Sequence, residues 1–438
     1  MRNTLAKPAL VGALALVIGA CGGGAATSAP AGSSAPAAST AAATSAAAPS
    51  AAETTAAATS APASSAPASS APASSAPASS APASSAPASS APASSAPASS
   101  APAASATAVK VGVVTDVGQL EDKSFNQSSN EGAMAAAQAV GGSHDVIVTQ
   151  NISDYGQNIQ AFIDQDFDVI VTVGFLIGTD TAKAAKANPD VKFIGVDQGV
   201  CLDEQGEPDP TFACAGDAAT LLPNYQGIVF AEEQPGYLAG IVAASITKTG
   251  TIAAVGGTNV PAVVAYRAGY EAGAKAVKPD IKTLYQETDP DPAKGFNDPA
   301  KGKAIAQQFI SQDADVIFQI AGLTGQGALE AACAADDVWG IGVDVDQALS
   351  IPTVAECVVT SAEKKLKETV QAVVTSVAND TFKAGTVLYD AASEPPAIGL
   401  SPFHDNASLI TPDIQALLDK ATAEMKAGTL KPPRTVGE

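Results

Sequence analysis

The chain has 438 residues, 46% of them hydrophobic, with 23 Lys and Arg against 44 Asp and Glu and a formal net charge of −21. A surface this acidic repels nucleic-acid phosphates and anionic headgroups, which excludes a nucleic-acid-binding role. The hydrophobic fraction overstates the core, because much of it is alanine in a low-complexity stretch ahead of residue 108.

Arg2 and Lys7 precede an apolar run from Ala9 to Ala20. The run is shorter than the roughly 20 residues a membrane-spanning helix needs, and it has the layout of a secretory signal peptide. It ends in Ile18-Gly-Ala-Cys21, which is similar to a lipobox, where the cysteine is lipidated and becomes the mature N-terminus. The expectation is a lipoprotein signal peptide at 1–20 and an extracytoplasmic protein anchored to the cell membrane through Cys21. From 21 to 107 the chain is almost wholly Ala, Ser, Pro and Thr, with a Ser-Ala-Pro-Ala-Ser unit repeating from Ser60. Such a composition cannot bury enough apolar surface to offset chain entropy, and predicts a disordered tether.

From residue 108 onward, short β-branched runs alternate with Ala-rich stretches of helical length, the pattern of parallel sheets covered by helices. Predicted strands are Val109–Thr115, Val146–Gln150, Val169–Val173, Phe193–Val196 and Gly227–Phe230, then Thr251–Val255, Thr283–Gln286, Val316–Ile320, Gly340–Val343 and Cys357–Thr360. Predicted helices include Gln127–Val140, Gly236–Thr247, Pro299–Gln312 and Glu363–Ala378. The first strand leads into Thr115-Asp-Val-Gly-Gln-Leu-Glu-Asp-Lys-Ser-Phe-Asn126, where Ser124-x-x-Gln127 reads as a capping box. Spacing alone makes Phe125 a hydrophobic staple at that helix start. No later run is long enough to cross a membrane.

The two halves echo each other. Asp166-Phe-Asp168-Val-Ile-Val is matched by Asp313-Ala-Asp315-Val-Ile-Phe, and Ile194-Gly-Val-Asp197 by Ile341-Gly-Val-Asp344, with an offset of 147 residues in both places. This points to paired βαβ units in two similar lobes. Asp116, Asp197 and Asp344 each follow a strand, where open α/β sheets place their ligands; the competing role for such residues is helix N-capping. Four cysteines follow Cys21: Cys201, Cys214, Cys333 and Cys357. In an oxidising compartment an even count predicts two disulfides. Of the three pairings that four cysteines allow, Cys201–Cys214 with Cys333–Cys357 closes the shorter loops. His144 and His404 lie away from the strand-end carboxylates, no Ser–His pairing is suggested and no metal-ligand spacing occurs. The chain reads as a binder with no cofactor and no metal, and not as an enzyme.

The Thr115–Asn126 string resembles the opening signature of the basic membrane protein family, purine-nucleoside-binding lipoproteins of ABC importers. Further strings are similar to that family in the same order: Ile194-Gly-Val-Asp-Gln198, Asn224 with Tyr237-Leu-Ala-Gly240, Phe296-Asn-Asp-Pro-Ala-Lys-Gly302, Ala321-Gly-Leu-Thr-Gly325, Ile341–Gln347 and Thr360-Ser-Ala-Glu-Lys364. The resemblance covers residues 109–438. It implies an α/β, two-lobed periplasmic-binding-protein-like fold, each lobe a mostly parallel sheet flanked by helices, with hinge crossovers. Lobe 1 would be 108–230 with a returning segment near 354–385, and lobe 2 would be 231–353 with 386–438. It also implies a monomer that closes on a purine nucleoside and delivers it to an ABC permease. Phe125 and Phe296 would stack on the base and Asp197 would lie at its edge. Asp116, Gly322, Asp344 and Lys364 would surround the ribose, and Asn126 would brace the site. A free sugar or other small solute, or a sensor role without a transporter, are the alternative readings. The stretch from Cys201 to Pro223 looks like an insertion beside Asp197.

Overall fold

In a computed structural model of the protein, which describes residues 107–437, the β-branched runs form twelve strands in two sheets. In chain order these are β1 Lys110–Val114, β2 Ser143–Ile147, β3 Val169–Val173, β4 Lys192–Val196, β5 Tyr225–Phe230, β6 Thr251–Gly256, β7 Lys282–Glu287, β8 Val316–Ile320, β9 Trp339–Asp344, β10 Val358–Lys364, β11 Gly385–Tyr389 and β12 Ile398–Leu400. The first sheet runs β11-β5-β4-β3-β1-β2 and the second β12-β10-β9-β8-β6-β7. Read inward from β2 and from β7, the two orders are the same. All pairs are parallel except β10 with β12. The expected signal peptide, the expected lipidation site Cys21 and the expected tether up to residue 106 lie outside the described residues.

The central strands of each sheet carry apolar side chains on both faces because helices cover both. Val113, Val171 and Ile194 form one row across the first sheet, and Ala254, Phe318 and Ile341 form one across the second. Each of these side chains is essentially inaccessible to solvent. The sequence echo has a structural counterpart just before β3 and β8. Asp168 accepts from the Lys110 backbone N–H at 2.7 Å, and Asp315 accepts from that of Lys248, also at 2.7 Å. Asp168 is thereby tied to the first residue of β1, and Asp315 to the turn that enters β6.

Three crossovers join the lobes. After β5 the chain enters helix Glu233–Ile246, which packs on helix Pro261–Val277 of the second lobe. After β10 it enters helix Leu366–Ala378, which returns to pack on helix Phe125–Ala139 of the first. The third runs from β11 to β12. The expected returning segment near 354–385 is thus displaced. Residues 358–364 belong to the second sheet, and the first lobe keeps the chain through Tyr389. The cause is that β10 pairs with β9 before crossing. The predicted helix Glu363–Ala378 accordingly begins at Leu366, and Lys364 ends a strand instead of lying in a first turn.

The cysteines pair locally. Cys201 bonds Cys214 with Cα atoms 4.7 Å apart, and Cys333 bonds Cys357 with Cα atoms 5.3 Å apart. The first closes the suspected insertion, whose Leu202 is buried and bridges Pro208.

Candidate functional site

The carboxyl ends of both sheets face one another across a cleft of about 290 Å3. Its lining includes all eight residues singled out from sequence: Asp116, Phe125, Asn126 and Asp197 from the first lobe, and Phe296, Gly322, Asp344 and Lys364 from the second. Asp116 follows β1, Asp197 follows β4, Asp344 ends β9 and Lys364 ends β10. None of the three strand-end aspartates serves as a helix N-cap. Asp197 and Asp344 instead hold left-handed backbone, at φ 55° and 64°, which turns both carboxylates into the cleft.

The cleft is closed by side chains that reach across it. Lys364 Nζ donates to Asp197 Oδ2 at 2.6 Å and lies 3.6 Å from Asp344 Oδ1 and 3.9 Å from Glu232 Oε1. Ser124 Oγ, in the first lobe, donates to Asp344 Oδ2 at 2.7 Å. The expected capping box therefore does not form. Asp122 does the capping, accepting from the backbone N–H groups of Ser124, Asn126 and Gln127 at 2.9–3.2 Å, which frees the Ser124 hydroxyl for the other lobe. Gln127 turns to Glu131. An Asp122→Ala variant is expected to lose about 1–2 kcal/mol of stability, measured by urea unfolding; no change would mean the three N–H groups find other partners.

Phe125 is not a staple. Its ring points to the cleft, with Lys364 Nζ 4.8 Å from the ring centroid. Phe296 follows a short helix, Pro292–Gly295, whose N-cap Asp291 accepts from Ala293 N. Its ring lies over Gly257, where any Cβ would collide with it. Gly174 plays the matching part in the first lobe: at φ 101° it leaves room for the Asp116 carboxylate. Gly322, at φ 53°, starts helix Gly322–Cys333 beside the Phe296 backbone, a tight turn and not a phosphate loop.

Burial dominates the electrostatics. It pulls the pKa of Lys364 down, but Asp197, Asp344 and Glu232 together outweigh it and hold the ammonium charged. Burial also raises Asp197, against the opposing pull of Lys364. It pushes Asp116 up to about 6, although Tyr155 and the Val117 N–H both bond its carboxylate. Asp116 makes no hydrogen bond to Lys364, whose nearest partner is Asp197, the residue expected at the base edge. Two buried acceptors lining the cleft, Asp197 Oδ1 and Asn126 Oδ1, have no hydrogen-bond partner. An unsatisfied buried acceptor costs about 1–3 kcal/mol, which a ligand N–H or O–H would recover.

The sequence reading missed Asp122, Glu232 and Arg434. Glu232 is 2% exposed at the first crossover, bonded by Arg434 Nη2 at 2.9 Å. Glu232 and Glu233, set between an apolar strand and an apolar helix, were the available signal. Carboxylates there must find cationic partners.

Two like lobes, joined by three crossovers and closed over a small cleft of aromatic and charged groups, define a two-lobed solute-binding protein. The profile of the Bmp family, described as "ABC transporter substrate-binding protein PnrA-like", matches residues 109–421, and the chain belongs to that family. It is similar to the ABC transporter nucleoside-binding protein BmpA of Lactococcus lactis, 34% identical over 55% of this chain and 64% of the relative. The match thus spans just under two thirds of that relative's length. It is also 28% identical to Basic membrane protein A of Borreliella burgdorferi, over 72% of this chain and 85% of the relative. Among solved structures, an ABC transporter solute-binding protein from Conexibacter woesei aligns with a TM-score of 0.56 and 26% identity, covering 75% of this chain and 99% of that one. One from Aeropyrum pernix aligns at 0.62 and 23% identity over 74% and 94%, and agrees in fold. Membership makes the chain a binding component, not an enzyme, with a small-molecule ligand and an ABC permease as partner.

Proposed function

We propose that the chain captures a purine nucleoside outside the cytoplasm and hands it to its permease. The observation that carries this reading is the closed cleft with an aromatic from each lobe, Phe125 and Phe296, beside a buried Lys364–carboxylate cluster. A base is a flat disc that two facing rings can grip only after closure, and each stacking contact is worth about 1–3 kcal/mol. Asp344, with Lys364 beside it, accepts from ribose hydroxyls. Asp116 and the Gly322 turn flank the same sugar. The unpartnered oxygens of Asp197 and Asn126 accept donors from the ligand, Asp197 doing so from within the Lys364 cluster. The nucleoside-binding relative supports the same choice.

Asp344→Ala is expected to weaken inosine by about 10- to 150-fold, the worth of hydrogen bonds to a charged group, while hypoxanthine changes far less. Calorimetric titration of both ligands checks this. Equal losses for riboside and free base would remove Asp344 from the sugar.

The anchor belongs to the same proposal: a monomer tethered by a lipid on Cys21. Cys21→Ala should move the protein from the membrane fraction to the soluble one with nucleoside affinity unchanged. Continued membrane association of that variant would rule out the lipid anchor.

A further inference from the structure

The guanidinium of Arg434, in the segment after the helix Pro412–Lys426, sits on the first crossover between the lobes. Its Nη1 donates to the Phe230 carbonyl at 3.2 Å and to Glu233 Oε2 at 2.6 Å. Its Nη2 donates to Glu232 Oε2 at 2.9 Å. Phe230 is the last residue of β5 and Glu233 the first of the helix that packs in the second lobe. The planar fork therefore grips both ends of the crossover formed by Ala231 and Glu232, a task suited to arginine's fixed donor geometry. The other oxygen of Glu232 faces Lys364 Nζ at 3.9 Å. Arg434 also lines the cleft.

We propose that Arg434 is a positioning residue for the cleft: it holds Glu232 as a carboxylate behind Lys364, keeps the ammonium presented to Asp197 and Asp344, and ties the crossover in its closed form. Its effect on ligand affinity rests on this cleft being the nucleoside site; its effect on Glu232 does not. The groups acting on Glu232 are Asp197 from the end of β4, Lys364 from β10 and Arg434, with the Tyr266 hydroxyl of helix Pro261–Val277 also facing it; its chain neighbour Glu233 shares the Arg434 guanidinium. Asp344 acts through Lys364, and Asp390 lies toward Glu233. Burial and the repulsion of Asp197 push Glu232 up to about 7, against the pull of Lys364 and Arg434. Removing either cation raises it further.

The test compares Arg434→Gln and Arg434→Lys with the unaltered full chain, in two readouts. Without ligand, carbon-13 NMR of labelled glutamate carboxyls follows Glu232, assigned through Glu232→Gln. Its midpoint should rise by about one pH unit or more in Arg434→Gln, and return most of the way in Arg434→Lys. By calorimetry, inosine should bind about tenfold more weakly to Arg434→Gln. Arg434→Lys should recover only part of that affinity, because a point charge cannot hold Phe230, Glu232 and Glu233 together. An unmoved Glu232 midpoint, or an inosine affinity equal to that of the unaltered chain, would overturn the proposal. If Glu232 shifts as expected but the unaltered chain takes no nucleoside, the positioning of Glu232 stands and the nucleoside reading falls.

Discussion

Lys364→Met should cost about 3–5 kcal/mol of stability at pH 8, because it strands Asp197, Asp344 and Glu232 without their shared cation. All four side chains are at least nine-tenths buried, so solvent cannot take over the lysine's role. The pH dependence follows in sign. Asp197 and Glu232 have folded-state pKa values raised above 3.8 and 4.5, Glu232 to about 7. The folded state therefore binds their protons more readily than the unfolded chain does. That contribution is fully present below the unfolded values and is lost as pH rises through the folded ones. Removing Lys364 raises the folded values further, so the deficit should be largest above pH 7 and should shrink toward pH 5. Urea unfolding at both pH values measures it. A deficit of the same size at pH 5 and pH 8 would mean that the lost interaction is packing, not charge.

The second large effect is on the ligand. Phe296→Ala should weaken purine nucleoside binding by about 1–3 kcal/mol, roughly five- to 150-fold. Stability should fall by less than the roughly 3–5 kcal/mol typical of truncating a core Phe, since the ring is only partly buried and borders the cleft. Ligand-induced compaction, measured by small-angle scattering, should diminish in the same variant because closure no longer completes the sandwich. A variant that loses core-sized stability yet binds with unchanged affinity would make Phe296 a packing residue.

How far these features could be read in advance depended on burial. Strands β3 and β8 were predicted with the observed bounds, because both faces are covered and the runs Val169–Val173 and Val316–Ile320 are continuous in character. The edge strand β2 was displaced to Val146–Gln150. Its exposed Ser143 and Asp145 and half-buried His144 carry little apolar signal, and pairing with β1 sets its register. Strands β11 and β12 went unpredicted for the same reason: one is an edge strand with Leu388 exposed, the other is three residues long. The carboxylates of the cleft were legible because topology places strand ends there. The partners of Ser124 were not, since local spacing reports the helix it precedes and not Asp344 across the cleft. Arg434 lay beyond sequence reasoning, as only the folded C-terminal segment brings it to Glu232.

Calorimetric titration of the unaltered protein with inosine, guanosine, adenosine, uridine, hypoxanthine and ribose tests the central claim most directly. Saturable one-to-one binding of purine nucleosides is expected, with weaker binding of the free base, which lacks the sugar contacts of Asp344, and of ribose, which has no base to stack. Tight binding of ribose, or of none of the nucleosides, would contradict it.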